Sequence, residues 1–502
     1  MPYASSQAWI EALEATGELR RIAAAVSTDL EITEIADREM KSPGGGKALL
    51  FERPVMPNSG SGTRGSEFPL LINAFGSTRR MALALGVNKV DEIAGQIGAL
   101  LRAKPPRSFR EAISLLGQAL ELRHAKPRRV SSGPCKEKVH RRPAGGEEGD
   151  FSLRNLPIQK CWPEDGGPFI TFPIVITHDP DTGHRNWGMY RMQVYDGWTT
   201  GMHWQLHKVG ARHGRRHDQT GTKMPVAVAI GGDPMHTFAA TAPLPDGLDE
   251  ALLDGFLRKQ SVDLVRCETN DLEVPADADF VLEGYVQPGE TRPEGPFGDH
   301  TGFYTPVDPY PVFHVECITH RRGAVYPCTI VGRPPMEDFH MGTASVRIFL
   351  PVFKMNFPEI VDMALPPEGV FHNLVFVSIR KQYPYHAFKI MNGLWGMGQM
   401  MFSKIIVAVD DDVDVQNTSE VLFHVCANID PQRDVIFTKA PCDSLDHAQT
   451  HPNLGSHMGV DATAKLPGEG YLRGWPKKLK MDPDVVERVN RLLKDLKGSY
   501  DP

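Results

Sequence analysis

Hydrophobic and polar positions divide the 502-residue chain into three stretches with different rhythms. In the first, Trp9, Ile10, Leu13 and Leu19 share one helical face and predict a helix over residues 6–22, with Gly17 as an interruption. A second helix is predicted from Leu30 to Met40, stopped by Pro43 and three glycines. Ala48–Phe51 and Pro69–Ile72 are short apolar runs of strand type, separated by a Gly/Ser-rich loop at 58–66. Helices follow over Arg79–Gly86, Val90–Leu101 and Phe109–Leu122. The expectation is an N-terminal α/β domain over residues 1–125.

Residues 125–150 lose the apolar rhythm and turn to Pro, Gly, Lys, Arg and Glu, which predicts a linker or excursion at a domain boundary. From there to about Val331 the pattern is of strands: Phe169–Thr177, its partner Trp187–Tyr195 beyond a turn at Asp179–Gly183, then Pro225–Ile230, Leu264–Cys267 and Phe280–Val286. Val312–Thr319 and Ala324–Ile330 predict a hairpin around Arg321-Arg322-Gly323. One helix, Leu248–Arg258 with Asp246 as its cap, interrupts them. Many short strands with one inserted helix predict a barrel or closed sheet over 126–331.

In residues 332–502 strand and helix alternate: Leu374–Ile379, Tyr385–Met401, Ile405–Val409, Ser419–Ala427 and Asp434–Phe437. That order predicts a second α/β domain with a parallel sheet. A Gly/His/Asn-rich segment, His447 to Lys465, follows. An amphipathic helix, Val485–Leu496, closes the chain and suits oligomerisation.

Composition narrows the class. A net charge of −7 argues against a dedicated nucleic-acid binder. The seven cysteines never form a Cys-x-x-Cys pair, which fits a reducing cytosol and no disulfide framework. The opening residues carry no basic-then-apolar leader, and no apolar run approaches the roughly 20 residues of a membrane span. A soluble cytoplasmic chain is expected.

Candidate chemistry concentrates in the middle stretch. Arg292–Gly302 places Glu294 and Asp299 on either side of Phe297, in a loop stiffened by two prolines. Two carboxylates beside apolar surface can have their pKa values driven apart, leaving one able to donate a proton. Arg191, in the run Asn186-Trp187-Gly188-Met189-Tyr190-Arg191, can grip a carboxylate or phosphate with two parallel hydrogen bonds. Residues 202–217 hold His203, His207, His213 and His217 among basic side chains, a composition suited to an anionic phosphate with a bridging divalent cation. Glu250 stands in a helix's first turn, as a metal ligand or simply as an acid at the positive helix end. On the residues alone, a surface turn, an exposed strand arginine and a solvated basic loop stay open beside these readings. There is no dinucleotide fingerprint, Walker loop or nucleophile elbow.

Together the segments NWGMYR (186–191), CETNDLEVPADADFVLEG (267–284), RPEGPFGDHTGFY (292–304), VGRPP (331–335), FPEIVDMALPPEG (357–369) and MGVDAT (458–463) resemble the UbiD family of prenylated-flavin-dependent decarboxylases. The aspartate at 299 is similar to the branch acting on polyprenyl-4-hydroxybenzoate. The resemblance implies a mixed α+β, α/β multidomain fold with a central split β-barrel-like flavin-binding domain. It implies that Arg191, Glu294 and Asp299 form the catalytic network, with Asp299 the proton donor. It implies that Met189, Tyr190, Arg191, His203, Trp204, Gln205, Lys208 and Val209 wrap the cofactor. Asn186 and Glu250 would hold a divalent metal, usually manganese, at the cofactor phosphate, with His203 as an approximate third ligand and potassium as an optional companion. A lysine that touches the flavin in some members is replaced near Met397.

The implied reaction is reversible non-oxidative decarboxylation of an aromatic or α,β-unsaturated acid. A flavin prenyltransferase would supply the cofactor, and a homodimer or homohexamer would be the working form. The alternatives are an FMN-dependent oxidoreductase of flavin reductase type, which needs no paired acids opposite an arginine, and a non-catalytic assembly subunit. Loops near Phe339, His340 and residues 447–457 are expected to select the substrate.

Overall fold

A computed structural model describes residues 3–57, 62–101, 123–146, 149–205, 208–244 and 247–495. The predicted helix at Phe109–Leu122 and the predicted cap Asp246 lie outside these residues, as does His207.

The first helix, Ser6–Ala15, is capped by the Ser5 hydroxyl, which accepts from Ala8 N at 3.1 Å, and it buries Trp9, Ile10 and Leu13. It ends earlier than the 6–22 span predicted. Leu19–Ser27 is a strand, pairing in parallel with Ala48–Pro57. Its alanine-rich centre carries no clear apolar period, so the sheet rather than local pattern decides its conformation. The N-terminal sheet runs in the order Leu19–Ser27, Ala48–Pro57, Leu70–Ile72, Tyr326–Pro327, with Thr63–Gly65 on Ala48–Pro57.

That last strand corrects the predicted hairpin. Tyr326–Pro327 does not turn back on Asp308–His320; it crosses to pair in parallel with Leu70–Ile72. The region 125–150 is also no plain linker. Arg128–Val130 pairs with Asp263–Arg266, and Lys138–Arg141 pairs with Asp308–His320.

The central sheet has seven strands in the order Thr199–Gly201, Asp308–His320, Phe280–Glu294, Met224–Ile230, Ile174–His178, Arg185–Met189, with Lys138–Arg141 on the second. Every ladder in it is antiparallel, and the path is open between its first and last strands. One core cluster joins it to the N-terminal sheet: Phe51 and Ile72 pack with Val226, Phe280 and Tyr326.

The C-terminal unit has five strands in the order Ile360–Ala364, Leu374–Ile379, Ile405–Asp410, Leu454–Asp461, Val435–Pro441. The three central strands are parallel and the outer two antiparallel. Leu454–Asp461 lies within the predicted Gly/His/Asn-rich segment. Joining the two halves is a 20-residue helix, Glu337–Asn356, whose interior Pro351 hid it from the periodicity. The terminal helix spans Pro483–Asp495 and leaves Val486, Val489 and Leu492 exposed. Among the described residues no helix is long and apolar enough to cross a membrane. All seven cysteines are free, and only Cys426 is exposed.

Candidate active site

Glu294 is the last residue of the 15-residue strand Phe280–Glu294. The chain then bends through Gly295, whose φ of 101° lies in the left-handed region that a side chain would disfavour. Gln193 fixes the bend by accepting from Gly295 N at 2.7 Å, and Asp165 accepts from Gly298 N at 2.8 Å. At Gly298 a Cβ would lie 2.2 Å from the Trp162 ring, so glycine is required for this close packing. The predicted ordered loop is therefore braced at both ends. Asp299 is carried to the same side as Glu294.

Arg191 reaches them from just beyond the strand Arg185–Met189. Its Nε donates to Glu294 Oε1 at 3.0 Å, Nη1 donates to Asp299 Oδ2, and Nη2 donates to Thr305 Oγ1 at 3.1 Å. The guanidinium carbon stands 4.4 Å above the Phe297 ring. The Glu294 side chain is only 1% exposed and that of Asp299 6%. Charges so buried persist only when paired.

Burial alone would raise both carboxyl pKa values, but the partners outweigh it. His203 and Arg191 hold Glu294 below its ordinary range, and His300 and Arg191 do the same for Asp299. Asp299 is therefore ionised here. Burial by itself does not leave Asp299 protonated in this arrangement.

His203 Nδ1 meets Glu294 Oε2 at 2.8 Å, and its ring packs 4.1 Å from that of Tyr310. Its Nε2 is buried without a hydrogen-bond partner. Asn186 and Glu250 form a second group. Glu250 Oε2 accepts from Trp187 N at 2.8 Å, and burial pushes its carboxyl up to about 7. Asn186 is buried and its Nδ2 has no hydrogen-bond partner. Turned over, the amide would present its oxygen instead.

Close by, Val209–Thr220 begins at Lys208, with no acid in its first turn. Such a helix start suits a phosphate. Burial lowers the Lys208 pKa, and Asp443 opposes that shift. The orphaned amide of Asn186 and the buried carboxylate of Glu250, with this helix start, are groups that fit a metal-bridged phosphate, while the orphaned His203 nitrogen belongs to a ring held by Glu294. Among the described residues, no three His, Cys, Asp or Glu side chains by themselves form a metal cluster.

The remaining expected cofactor residues are placed as follows. Tyr190 is buried, accepts from Gly210 N at 3.3 Å and lies edge-on to Trp204. Met189 packs toward the N-terminal core cluster. Gln205 accepts from Lys208 N through its backbone oxygen at 3.0 Å, and Val209 opens the helix. His213 and His217 are engaged with Thr177 and Thr222, each at 2.9 Å. Their four-residue spacing reflects one helix rather than a metal pair.

Three residues at the site went without a role in the sequence reading: Thr305, Tyr310 and His300. His300 stood in the quoted motif; its neighbour His372 had no signal at all, because only the fold brings residues 300 and 372 together.

Family models and solved structures place the chain among carboxy-lyases. Models of the N-terminal, Rift-related and C-terminal domains of 3-octaprenyl-4-hydroxybenzoate carboxy-lyase match residues 10–99, 128–334 and 339–462. The chain belongs to the UbiD family. An uncharacterized protein of Archaeoglobus fulgidus is 49% identical over 500 residues, covering 99% of both chains. Vanillic acid decarboxylase of Sedimentibacter hydroxybenzoicus in closed form is similar at TM-score 0.83 and 26% identity, over 99% of each chain. An evolved dimeric form of the UbiD-class enzyme HmfF from Pelotomaculum thermopropionicum, in complex with prenylated FMN, is similar at TM-score 0.76 and 27% identity, over 96% of this chain and 98% of that one.

Proposed function

We propose that this protein catalyses the reversible, non-oxidative decarboxylation of an aromatic or α,β-unsaturated carboxylic acid with prenylated FMN. The observation that carries this reading is Arg191 bridging two buried carboxylates, Glu294 and Asp299. Prenylated FMN, made by a flavin prenyltransferase, would supply the electron sink that ordinary side chains lack. Asn186, His203 and Glu250 would hold a divalent cation such as manganese at the cofactor phosphate, with potassium as an optional companion. Tyr190, Trp204, Gln205, Lys208 and Val209 would frame the cofactor, with Met189 behind them.

Arg191 orients the substrate carboxylate and keeps Glu294 ionised. Their mutual grip fixes the side chains that the reaction needs held still. The carbon that loses CO2 must gain one proton, and in this reading Asp299 delivers it once it has been protonated. The same reading expects a homodimer or homohexamer, which would cover the exposed face of the terminal helix.

The experiment is an ultraviolet–visible spectrum and intact-ligand mass of protein co-produced with a flavin prenyltransferase, followed by CO2 release across a panel of aromatic acids. Prenylated FMN bound and CO2 released from at least one acid is the expected result. Plain FMN with NAD(P)H oxidation and no CO2 would contradict it in favour of a flavin oxidoreductase.

A further inference from the structure

Each decarboxylation of a carboxylate consumes one proton, RCO2⁻ + H⁺ → RH + CO2, and Asp299 is almost wholly buried. A route for that proton has to exist, and one chain of hydrogen bonds leads away from Asp299. His300 Nδ1 lies 2.6 Å from Asp299 Oδ1, and His300 Nε2 lies 2.8 Å from His372 Nε2. At the far end, His372 Nδ1 is buried and has no hydrogen-bond partner. Every other imidazole nitrogen in this chain of contacts is engaged.

The backbone around His372 carries a second, independent sign. Val370 and Phe371, immediately before it, both adopt positive φ, 54° and 45°. Two consecutive non-glycine residues in the left-handed region, one of them β-branched, are strained, and strain of this kind is retained where the surroundings over-determine it. Here it turns His372 toward His300, whose ring centroid lies 5.0 Å away, with Phe371 packed against His300 at 5.4 Å.

We propose that His300 and His372 form the path by which a proton from water reaches Asp299, across the junction between the central and C-terminal units. This rests on the decarboxylase reading above. In the working tautomers, Nδ1–H of His300 faces Asp299 and Nε2–H of His372 faces Nε2 of His300. A proton from water binds His372 Nδ1 as the Nε2 proton of His372 passes to His300 Nε2. The Nδ1 proton of His300 then passes to Asp299 Oδ1. Only N–H and O–H bonds change, no electron is transferred, and the rings return to their first tautomers before the next turnover.

The surrounding charges favour the first transfer, from His372 to His300; the second, from His300 to Asp299, runs uphill and is drawn on by loss of the Asp299 proton to the product. Burial lowers the pKa of both rings. For His300 that effect is overcome by Asp299, with Asp338 of the helix Glu337–Asn356 and Asp443 adding to it, so its pKa is raised. For His372, the neighbouring His300 adds to burial, and Asp443, Asp299 and Asp446 offset it only in part, so its pKa is lowered. Arg191 and Glu294 complete the charges beyond Asp299. Proton affinity therefore rises from His372 to His300, and neither residue touches the reacting atoms. Both are positioning residues acting through Asp299.

The test uses His372→Phe and, as a polar control that keeps the fold, His372→Asn. In cofactor-free protein, ¹⁵N NMR of the imidazoles should show the His300 titration midpoint moving in both variants; an unchanged midpoint would overturn the contact. In enzyme loaded with prenylated FMN, kcat should fall about tenfold at unchanged KM and unchanged cofactor content, with a larger solvent deuterium isotope effect and partial rescue by added imidazole. Wild-type-like kcat and isotope effect in both variants would overturn the relay alone. Failure of loaded wild-type protein to release CO2 from any aromatic acid would overturn the decarboxylase reading, and the relay with it.

Discussion

Among the described residues, two of the buried networks of histidine and carboxylate are built for different ends. In one, His236 is wholly buried with both ring nitrogens engaged by acids, Nδ1 by Asp254 and Nε2 by Asp277 at 2.9 Å. Arg258 adds a second cation, 3.0 Å from Asp233. In the other, Arg191, Glu294, Asp299, His203, His300 and His372 make a chain whose two ends are open, at His203 Nε2 and His372 Nδ1. The first network occupies both faces of its imidazole and serves the fold. The second leaves two buried ring nitrogens without a partner at the ends of a paired core, which suits groups that must meet a ligand or a proton.

Breaking the open network should have the largest effect. Asp299→Asn keeps the shape of the side chain and removes its acid–base capacity, so CO2 release should fall by about 10²–10⁴-fold while the bound-cofactor spectrum is retained. Glu250→Ala comes next. Loss of outer contacts at a metal site costs about 10–100-fold in affinity, so loss of a direct ligand should release metal and flavin together, read by elemental analysis and absorbance after gel filtration. Retention of both would remove Glu250 from that role.

The closed network should answer in stability rather than turnover. His236→Gln leaves the buried Asp254 and the partly buried Asp277 without the imidazolium between them and should cost about 3–5 kcal/mol in denaturant unfolding, with little change in kcat per folded molecule. Burial lowers the His236 pKa, but Asp254 and Asp277 reverse that and raise it to about 10. A raised histidine pKa gives stabilisation that is complete below the unfolded value near 6.5 and lost as pH rises toward 10. Wild-type protein should therefore lose stability across that window, and the variant should show a flatter profile.

Thr305→Val is the smallest change: one hydrogen bond from Arg191 is lost, worth about 1 kcal/mol, and kcat should fall about fivefold.

Much of the site was legible because its residues sit in short stretches of special chemistry. The Pro-Glu-Gly-Pro-Phe-Gly-Asp run declared an ordered acidic loop, and Glu294 and Asp299 do share a site. Its partner Arg191 lies 103 residues before Glu294, and spacing along the chain could not have joined them. The fold was readable where apolar rhythm was strong, as in Phe280–Val286 and Leu374–Ile379. It was misread where long-range pairing decides. Leu19–Ser27 becomes a strand only because Ala48–Pro57 lies beside it, and Tyr326–Pro327 leaves its apparent hairpin to complete a sheet more than 200 residues back in the chain. His372 was invisible for the same reason.

The claim that Arg191 and its two acids perform the chemistry is tested most directly by comparing Glu294→Gln with wild type at equal content of prenylated FMN and measuring CO2 release from an aromatic acid that wild type consumes. The account predicts that the variant binds the cofactor and releases almost no CO2. Wild-type-like release by the variant would contradict it.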